Sequence, residues 1–208
     1  MTICIASICE VSTGNPRIVF CADRLVTDAN GLTFEQALPK ITQLLSNCLI
    51  MNAGDSSYGD MILRDVFEKV GSFPPENLEK IRIKDIVEIV KEKIAIHRNQ
   101  AIEKDIFAPR GMDRKFFYLN LNSFKDWFAL IIDTEVRNYN FDVAFIILGF
   151  DINQELKNAS ANLYQLNGNG DIQFGNQIGF SMVGIGSYQS LPEITKEPYN
   201  PNTSLSDG

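Results

Sequence analysis

Residues 48–62 read CLIMNAGDSSYGDMI, and the hydrophobic period of the chain changes in the middle of this stretch. Cys48 to Ala53 is apolar at nearly every position, which predicts a strand that is covered on both faces. The apolar residues that follow have helical spacing up to Gly71. Either Asp55 or Ser56 is suited to cap the start of that helix, because its side chain can accept a backbone N–H. The stretch therefore predicts a strand that leads directly into a helix.

The residues before this stretch also have the character of strands. Thr2 to Cys9 and Arg17 to Leu25 are apolar and rich in β-branched residues, and the turn-forming cluster Ser12 to Pro16 lies between them. Ile41 to Leu45 pairs in the same way with Cys48 to Ala53. The first quarter of the chain is therefore predicted to form two β-hairpins.

The residues after this stretch turn helical and then return to strand character. Ile83 to about Ala101 has one apolar stripe, and Phe124 to Val136 is a further candidate helix. The later predicted strands are Phe141 to Phe150, Asn162 to Leu166, Asp171 to Phe174 and Phe180 to Ile185. The order of strands, helices and strands predicts an α+β fold rather than alternating βαβ units.

Bulk composition excludes several classes of function. The chain has 208 residues, 45% of them hydrophobic, which indicates one globular domain. A net charge of −7 argues against nucleic acid as a main partner, since nucleic-acid binding depends on Lys and Arg. No run of 18 apolar residues is present, so no membrane span is expected. The N-terminus lacks the basic region of a signal peptide, and a cytoplasmic location is expected.

Cysteine and histidine usage does not indicate a metal or a disulfide framework. Cys4, Cys9, Cys21 and Cys48 lie in apolar stretches without CxxC spacing, so we expect reduced thiols. The single histidine, His97, lies on the apolar stripe of a predicted helix and is interpreted as a core or interface residue. We expect neither a cofactor nor a metal.

The second residue of the chain is a candidate nucleophile. Methionine aminopeptidase removes Met1 before a small side chain, which would leave Thr2 with a free α-amine. That amine has a pKa of about 7.7 to 8.0, so it can take the proton of its own hydroxyl near neutral pH. Many proteins begin Met-Thr, so the dipeptide alone is a weak indication.

Three residues further along the chain strengthen this interpretation. Asp23 lies near the end of the second predicted strand, Lys40 comes seventeen residues later, and Gly54 comes fourteen residues after Lys40. A buried lysine near Thr2 would lower the pKa of a neighbouring amine or hydroxyl through its positive charge. A glycine at the start of a helix offers a backbone N–H to an oxyanion.

The set Thr2, Asp23, Lys40 and Gly54 resembles the site of the proteasome β-type subunits, which are N-terminal nucleophile hydrolases. The turn Gly186-Ser187-Tyr188 resembles a family turn whose serine helps to orient the amine of the nucleophile, although Tyr188 replaces a glycine. The resemblance implies a single proteasome-β-like domain over residues 1–208, a four-layer αββα sandwich of two antiparallel sheets. It also implies that Asn52 and Ser56 border the pocket for the substrate side chain.

Two departures from the family pattern are visible. The helical passage at about residues 74–140 is longer than the corresponding passage of the family. The chain also ends 21 residues after Ser187, before the last two helices of the family fold. We therefore expect a C-terminally truncated chain in which those helices are missing.

The resemblance leaves three functions open. The first is a threonine-type peptidase acting on peptides or unfolded polypeptides. The second is a non-catalytic proteasome-like assembly subunit, and the third is an N-terminal nucleophile amidohydrolase for a small amide. A homo-oligomer is expected, with a ring as one form and an ATPase as a candidate partner.

Overall fold

The computed structural model describes residues 3–27, 33–35, 40–78, 80–153, 158–187 and 199–202. Met1, Thr2 and Tyr188 lie outside the described residues. The strands are β1 (Cys4–Cys9), β2 (Arg17–Ala22), β3 (Leu25–Thr27), β4 (Thr33–Glu35), β5 (Ile41–Leu45), β6 (Cys48–Gly54), β7 (Val143–Asn153), β8 (Asn158–Asn167), β9 (Ile172–Phe174) and β10 (Phe180–Val183). The α-helices are α1 (Ser56–Gly71), α2 (Pro75–Leu78), α3 (Ile83–Ile102), α4 (Arg114–Leu119) and α5 (Asp126–Arg137).

The strands form two main antiparallel sheets and one short hairpin. The first sheet has the order β10-β1-β2, and the second has the order β5-β6-β7-β8-β9. Strands β3 and β4 pair with each other. Strand β2 ends at Ala22, so the single strand predicted from Arg17 to Leu25 is interrupted at Asp23 and Arg24.

The two main sheets pack face to face. Cys4, Ala6 and Ile8 of β1 are buried in a cluster with residues of the second sheet such as Met51 and Leu163. Successive residues of a strand point to opposite faces, so the other face of the second sheet is free to bind helices. Two antiparallel sheets and several helices confirm the α+β class and the sandwich that the sequence predicts.

Helices α1 and α3 cover that other face of the second sheet. Ile62 of α1, Val90 of α3 and Phe145 of β7 are fully buried in one cluster. His97 of α3 is buried, and its Nε2 lies 3.0 Å from Asp65 Oδ2 of α1. The interpretation of His97 as a core residue agrees with this position.

Side-chain caps fix where the two long helices begin. Asp55 Oδ1 accepts the backbone N–H groups of Ser57 and Tyr58 at 2.8 and 3.2 Å, so Asp55 is the residue that caps α1. Asp151 Oδ1 of β7 accepts the N–H of Ile83 at 2.8 Å. The start of α3 is thereby held against the second sheet.

The helical passage after α3 has a core of its own. The chain continues from α3 through a π-helical turn (Glu103–Phe107) to α4 and α5. The side chains that fill this third core are Ile102, Ile106, Phe107, Phe117, Ile132 and Val136. The enlarged passage predicted at about residues 74–140 thus contains α2 to α5. That residues 1–208 form a single domain remains a prediction.

Gly149 of β7 lies very close to the backbone of Asn47, so a substitution of Gly149 tests this packing. A Cβ at Gly149 of β7 would overlap the carbonyl oxygen of Asn47 and lie 2.6 Å from Ile83 Cδ1. We expect Gly149→Ala to lower the free energy of unfolding by about 1–3 kcal/mol, because the added methyl overpacks the core. Urea denaturation would measure the change.

Gly71 provides the matched control, since a Cβ there would have nothing within 4 Å. Gly71→Ala at the end of α1 should raise the free energy of unfolding by about 0.5–1 kcal/mol. Equal effects of the two substitutions would contradict the packing described here.

Candidate active site

The start of β1 lies between the ends of two other strands. Cys4 of β1 is opposite Ala22 of β2 on one side and opposite Val183 of β10 on the other. Asp23 directly follows β2, and the turn that contains Ser187 follows β10 by a few residues. The strand order therefore places Asp23 and this turn at the same end of the first sheet as Ile3, which precedes Cys4.

Asp23 binds both the start of β1 and Lys40. Asp23 Oδ1 accepts the backbone N–H of Ile3 at 2.9 Å, and the Asp23 N–H donates to the Ile3 carbonyl at 3.1 Å. The same Oδ1 accepts the ammonium of Lys40 at 2.8 Å. One carboxylate oxygen therefore links the residue after Thr2 to the lysine that the sequence singled out.

Lys40 is buried at the junction of the two main sheets. The residue is 7% exposed, and its carbonyl accepts the N–H of Asn52 at 3.0 Å in the pairing of β5 and β6. An ammonium is rarely buried without a partner because desolvation disfavours the charged form. The ion pair with Asp23 supplies that partner.

The pKa of the Cys4 thiol depends on its burial and on the charge of the nearby Lys40. Burial raises the pKa of the Cys4 thiol to about 12, while the positive charge of Lys40 acts in the opposite direction. The Cys4 Sγ lies 3.5 Å from the carbonyl oxygen of Asn52. Cys4 is therefore a protonated core residue, as the sequence predicted, and is not a candidate nucleophile near neutral pH.

Gly54 adopts a backbone conformation that favours glycine. Its φ is +96°, and a Cβ would overlap the carbonyl oxygen of Asp142. The same carbonyl accepts the N–H of Asp55 at 2.6 Å, so β7 approaches the start of α1 closely. Gly54 thus lies immediately before a capped helix, where the aligned peptide dipoles favour negative charge. The role of Asp142 had no signal in the sequence.

Asn52 and Ser56 lie on either side of Gly54. Asn52 is a half-buried residue of β6, and Ser56 is the half-buried first residue of α1. A Cβ at Gly59 of α1 would come within 2.8 Å of the Asn52 Nδ2, so the amide rests against the helix. This role of Gly59 was not predicted from the sequence, although a glycine inside a predicted helix can indicate close packing.

Ser187 is held by its own turn. Its N–H and its hydroxyl donate to the carbonyl of Gly184 at 3.0 and 2.7 Å. Because Thr2 lies outside the described residues, the role of Ser187 towards the amine of Thr2 stays a prediction. The structure therefore brings Asp23, Lys40 and Ile3 into contact, and the strand order puts the turn of Ser187 at the same end of the first sheet.

Two other kinds of feature are absent from the described ranges. No group of three or more His, Cys, Asp or Glu side chains is arranged there to hold a metal ion. None of the described helices is both long enough and apolar enough to cross a membrane.

The link between Lys40 and Asp23 is testable by a double-mutant cycle. Asp23→Ala should lower the free energy of unfolding by about 3 kcal/mol, because it leaves the Lys40 ammonium buried without its carboxylate. Lys40→Met should cost less, since Asp23 keeps the N–H of Ile3. In the double variant Asp23→Ala/Lys40→Met the loss should be smaller than the sum of the two single losses. Additive losses in urea denaturation would show that the pair is not coupled.

Comparison with solved structures finds proteins of the same fold. The Anbu (Gly-1) mutant from Hyphomicrobium sp. strain MC1 is similar over 100% of this chain and 70% of its own chain, with a TM-score of 0.60. The sequence identity is 12%, so this likeness concerns the fold and not the site residues. No protein-family model matches the chain, and no curated protein sequence matches it. The sandwich of two antiparallel sheets with its helices is therefore a fold that this chain shares with Anbu.

Proposed function

We propose that this protein is a threonine-type amide hydrolase that cleaves peptides with Thr2 as its N-terminal nucleophile. The observation that carries the proposal is the bridging position of Asp23 Oδ1, which binds the N–H of Ile3 and the ammonium of Lys40. Residue 3 is covalently joined to residue 2, so this bridge holds the chain next to Thr2 close to a buried cation. The fold similarity to Anbu, a bacterial proteasome-like relative, supports the same proposal.

The chemistry begins with removal of Met1, which gives Thr2 a free α-amine. The amine takes the proton of the Thr2 hydroxyl, and Oγ attacks the carbonyl carbon of the substrate amide. The positive charge of Lys40 favours the deprotonated hydroxyl, and Asp23 holds Lys40 in place. The departing amine of the substrate takes up the proton from the α-amine of Thr2, which leaves an ester between Thr2 and the acyl group.

Hydrolysis completes the cycle. A water molecule attacks the ester, its proton passes to the α-amine, and the free acid leaves as Oγ is protonated again. In both steps the backbone N–H of Gly54 is the proposed donor to the oxyanion, at the positive end of α1. Ser187 is proposed to help orient the α-amine.

The residues around Gly54 suggest a substrate preference. Asn52 and Ser56 are polar, and both are half-buried beside Gly54. As the border of the pocket for the side chain before the cleaved bond, they would disfavour bulky apolar side chains. Gly59 leaves the room in which the Asn52 amide lies.

Assembly is a second part of the proposal. Proteasome β-type subunits work in rings, so the resemblance supports a homo-oligomer acting on peptides or unfolded polypeptides, with an ATPase as a candidate partner. A non-catalytic assembly subunit is the main alternative, and a small-amide hydrolase is the other. Hydrolysis of a small amide but not of peptides would favour the last of these.

A covalent inhibitor directed at N-terminal threonine tests the nucleophile. We expect mass spectrometry of the full-length protein to show loss of Met1 and an adduct on Thr2. Thr2→Ala should abolish both the adduct and peptide hydrolysis, because no hydroxyl remains at the terminus.

Two further variants serve as controls. Thr2→Ser keeps a terminal hydroxyl and should retain measurable hydrolysis, while Thr42→Ala changes a threonine of β5 outside the proposed machinery and should leave hydrolysis unchanged. Retained Met1, or hydrolysis by Thr2→Ala at the rate of the original protein, would refute the proposal.

A further inference from the structure

Helix α5 is apolar on two opposite faces. One face contains Ile132 and Val136, which are buried in the third core. The opposite face contains Trp127, Leu130 and Ile131, which are 59%, 67% and 46% exposed. The face formed by these three residues, here called the α5 face, therefore exposes large apolar side chains next to one another, as contact surfaces do.

Exposed apolar side chains are concentrated around this face. Seven of the seventeen large hydrophobic residues that are exposed in the described chain lie within residues 116–131. Tyr118 of α4 donates its hydroxyl to Asp133 Oδ1 at 3.3 Å, which places α4 along one flank of α5. Soluble monomers rarely expose contiguous apolar patches larger than a few hundred Å2, and larger ones mark interaction sites.

The charge distribution favours a second copy of this chain as the occupant. Residues 103–137 contain six basic and six acidic residues, so the whole net charge of −7 lies on the rest of the chain. Contact through the rest of the chain would on average bring together parts of the molecule with a net negative charge. Contact through the helical passage brings together neutral surfaces that carry both signs of charge.

The flank of the α5 face is complementary to itself. Asp126 and Arg137 are exposed and eleven residues apart, about three turns of helix, so both lie on the same side of α5. Asp133 lies on this side too, and its Oδ2 is 2.7 Å from Arg137 Nη2, so a partner's Asp126 would join an ion pair that is already present. When two α5 helices pack antiparallel about a two-fold axis, each flank of one helix lies beside the same flank of the other. An axis near Ile131 would place Asp126 of each copy beside Arg137 of the other.

We propose that two copies of this chain associate through the α5 face, with the two α5 helices antiparallel. Leu130 and Ile131 lie at the centre of the contact, Trp127 extends it, and two reciprocal Asp126–Arg137 ion pairs close one flank. The proposal does not depend on Thr2 or on hydrolysis. If the chain does not associate in this way, the proposed hydrolase function is unaffected. If the chain is not a hydrolase, the proposed association is likewise unaffected.

Sedimentation equilibrium of the full chain over a concentration series tests the association. We expect self-association, with Leu130→Glu raising the dissociation constant more than tenfold because it places a carboxylate at the centre of the contact. If the chain also forms rings through other surfaces, Leu130→Glu should halve the mass of the assembly. Ile152→Glu is the matched control, since Ile152 is 62% exposed on β7, and it should change nothing.

Charge exchange tests the antiparallel geometry. Asp126→Arg and Arg137→Asp should each weaken self-association, because each variant meets like charge at both ends of the contact. An equimolar mixture of the two should associate as tightly as the original chain, since every pair is then of opposite sign. Circular dichroism would confirm that all variants are folded.

The proposal is overturned if the original chain stays monomeric or if Leu130→Glu associates as tightly as the original chain. It is also overturned if mixing Asp126→Arg with Arg137→Asp does not restore the association. Binding of the monomer to phosphatidylglycerol vesicles without self-association would also overturn it, because the α5 face would then be a lipid-binding surface.

Discussion

The ion pair between Lys40 and Asp23 is the interaction on which the candidate site depends. Lys40 precedes β5 of the second sheet, while Asp23 follows β2 of the first sheet and also binds Ile3 before β1. The pair therefore joins the two sheets at one end of the sandwich. Because the ammonium is buried, loss of the carboxylate would destabilise the fold, and the same carboxylate oxygen that binds Lys40 also holds Ile3.

A second constraint, the close approach of backbones, places the start of α1 at this end of the sandwich. Gly54 leaves no space for a side chain against Asp142, and Asp55 both binds the Asp142 carbonyl and caps α1. The end of β6 and the first turn of the helix are thus held by a backbone contact to Asp142 and by the side-chain cap of Asp55. A site built on such elements keeps its donors in place before a substrate binds, which is the condition for electrostatic stabilisation of an oxyanion.

Much of the fold was predictable because the spacing of apolar residues along the sequence indicates which side of each strand or helix is buried. The strand-to-helix change at residues 48–62, helix α3 and the hairpin around Asn167 to Gly170 all follow from local patterns, and the structure confirms them. The spacing of apolar residues does not indicate which polar groups bind each other in the folded chain. Asp23 lies in a stretch with strand character, yet its side chain and N–H turn to Ile3, and the strand ends there. The donation of the Ser187 hydroxyl to the Gly184 carbonyl is a contact within one turn, which the hydrophobic period likewise does not indicate. Thr2 itself stays a prediction.

The third core separates the proposed association surface from the proposed chemistry. Helix α5 packs on Phe117 and Ile106 of the helical passage, whereas the Lys40–Asp23 pair lies beside the cluster between the two sheets. The second sheet and its own helical cluster lie between these two cores. Substitutions at distant sites without shared partners have nearly additive effects on stability, so changes on α5 should not alter the ion pair. Changes to the proposed association surface should therefore leave the residues proposed for amide hydrolysis in place.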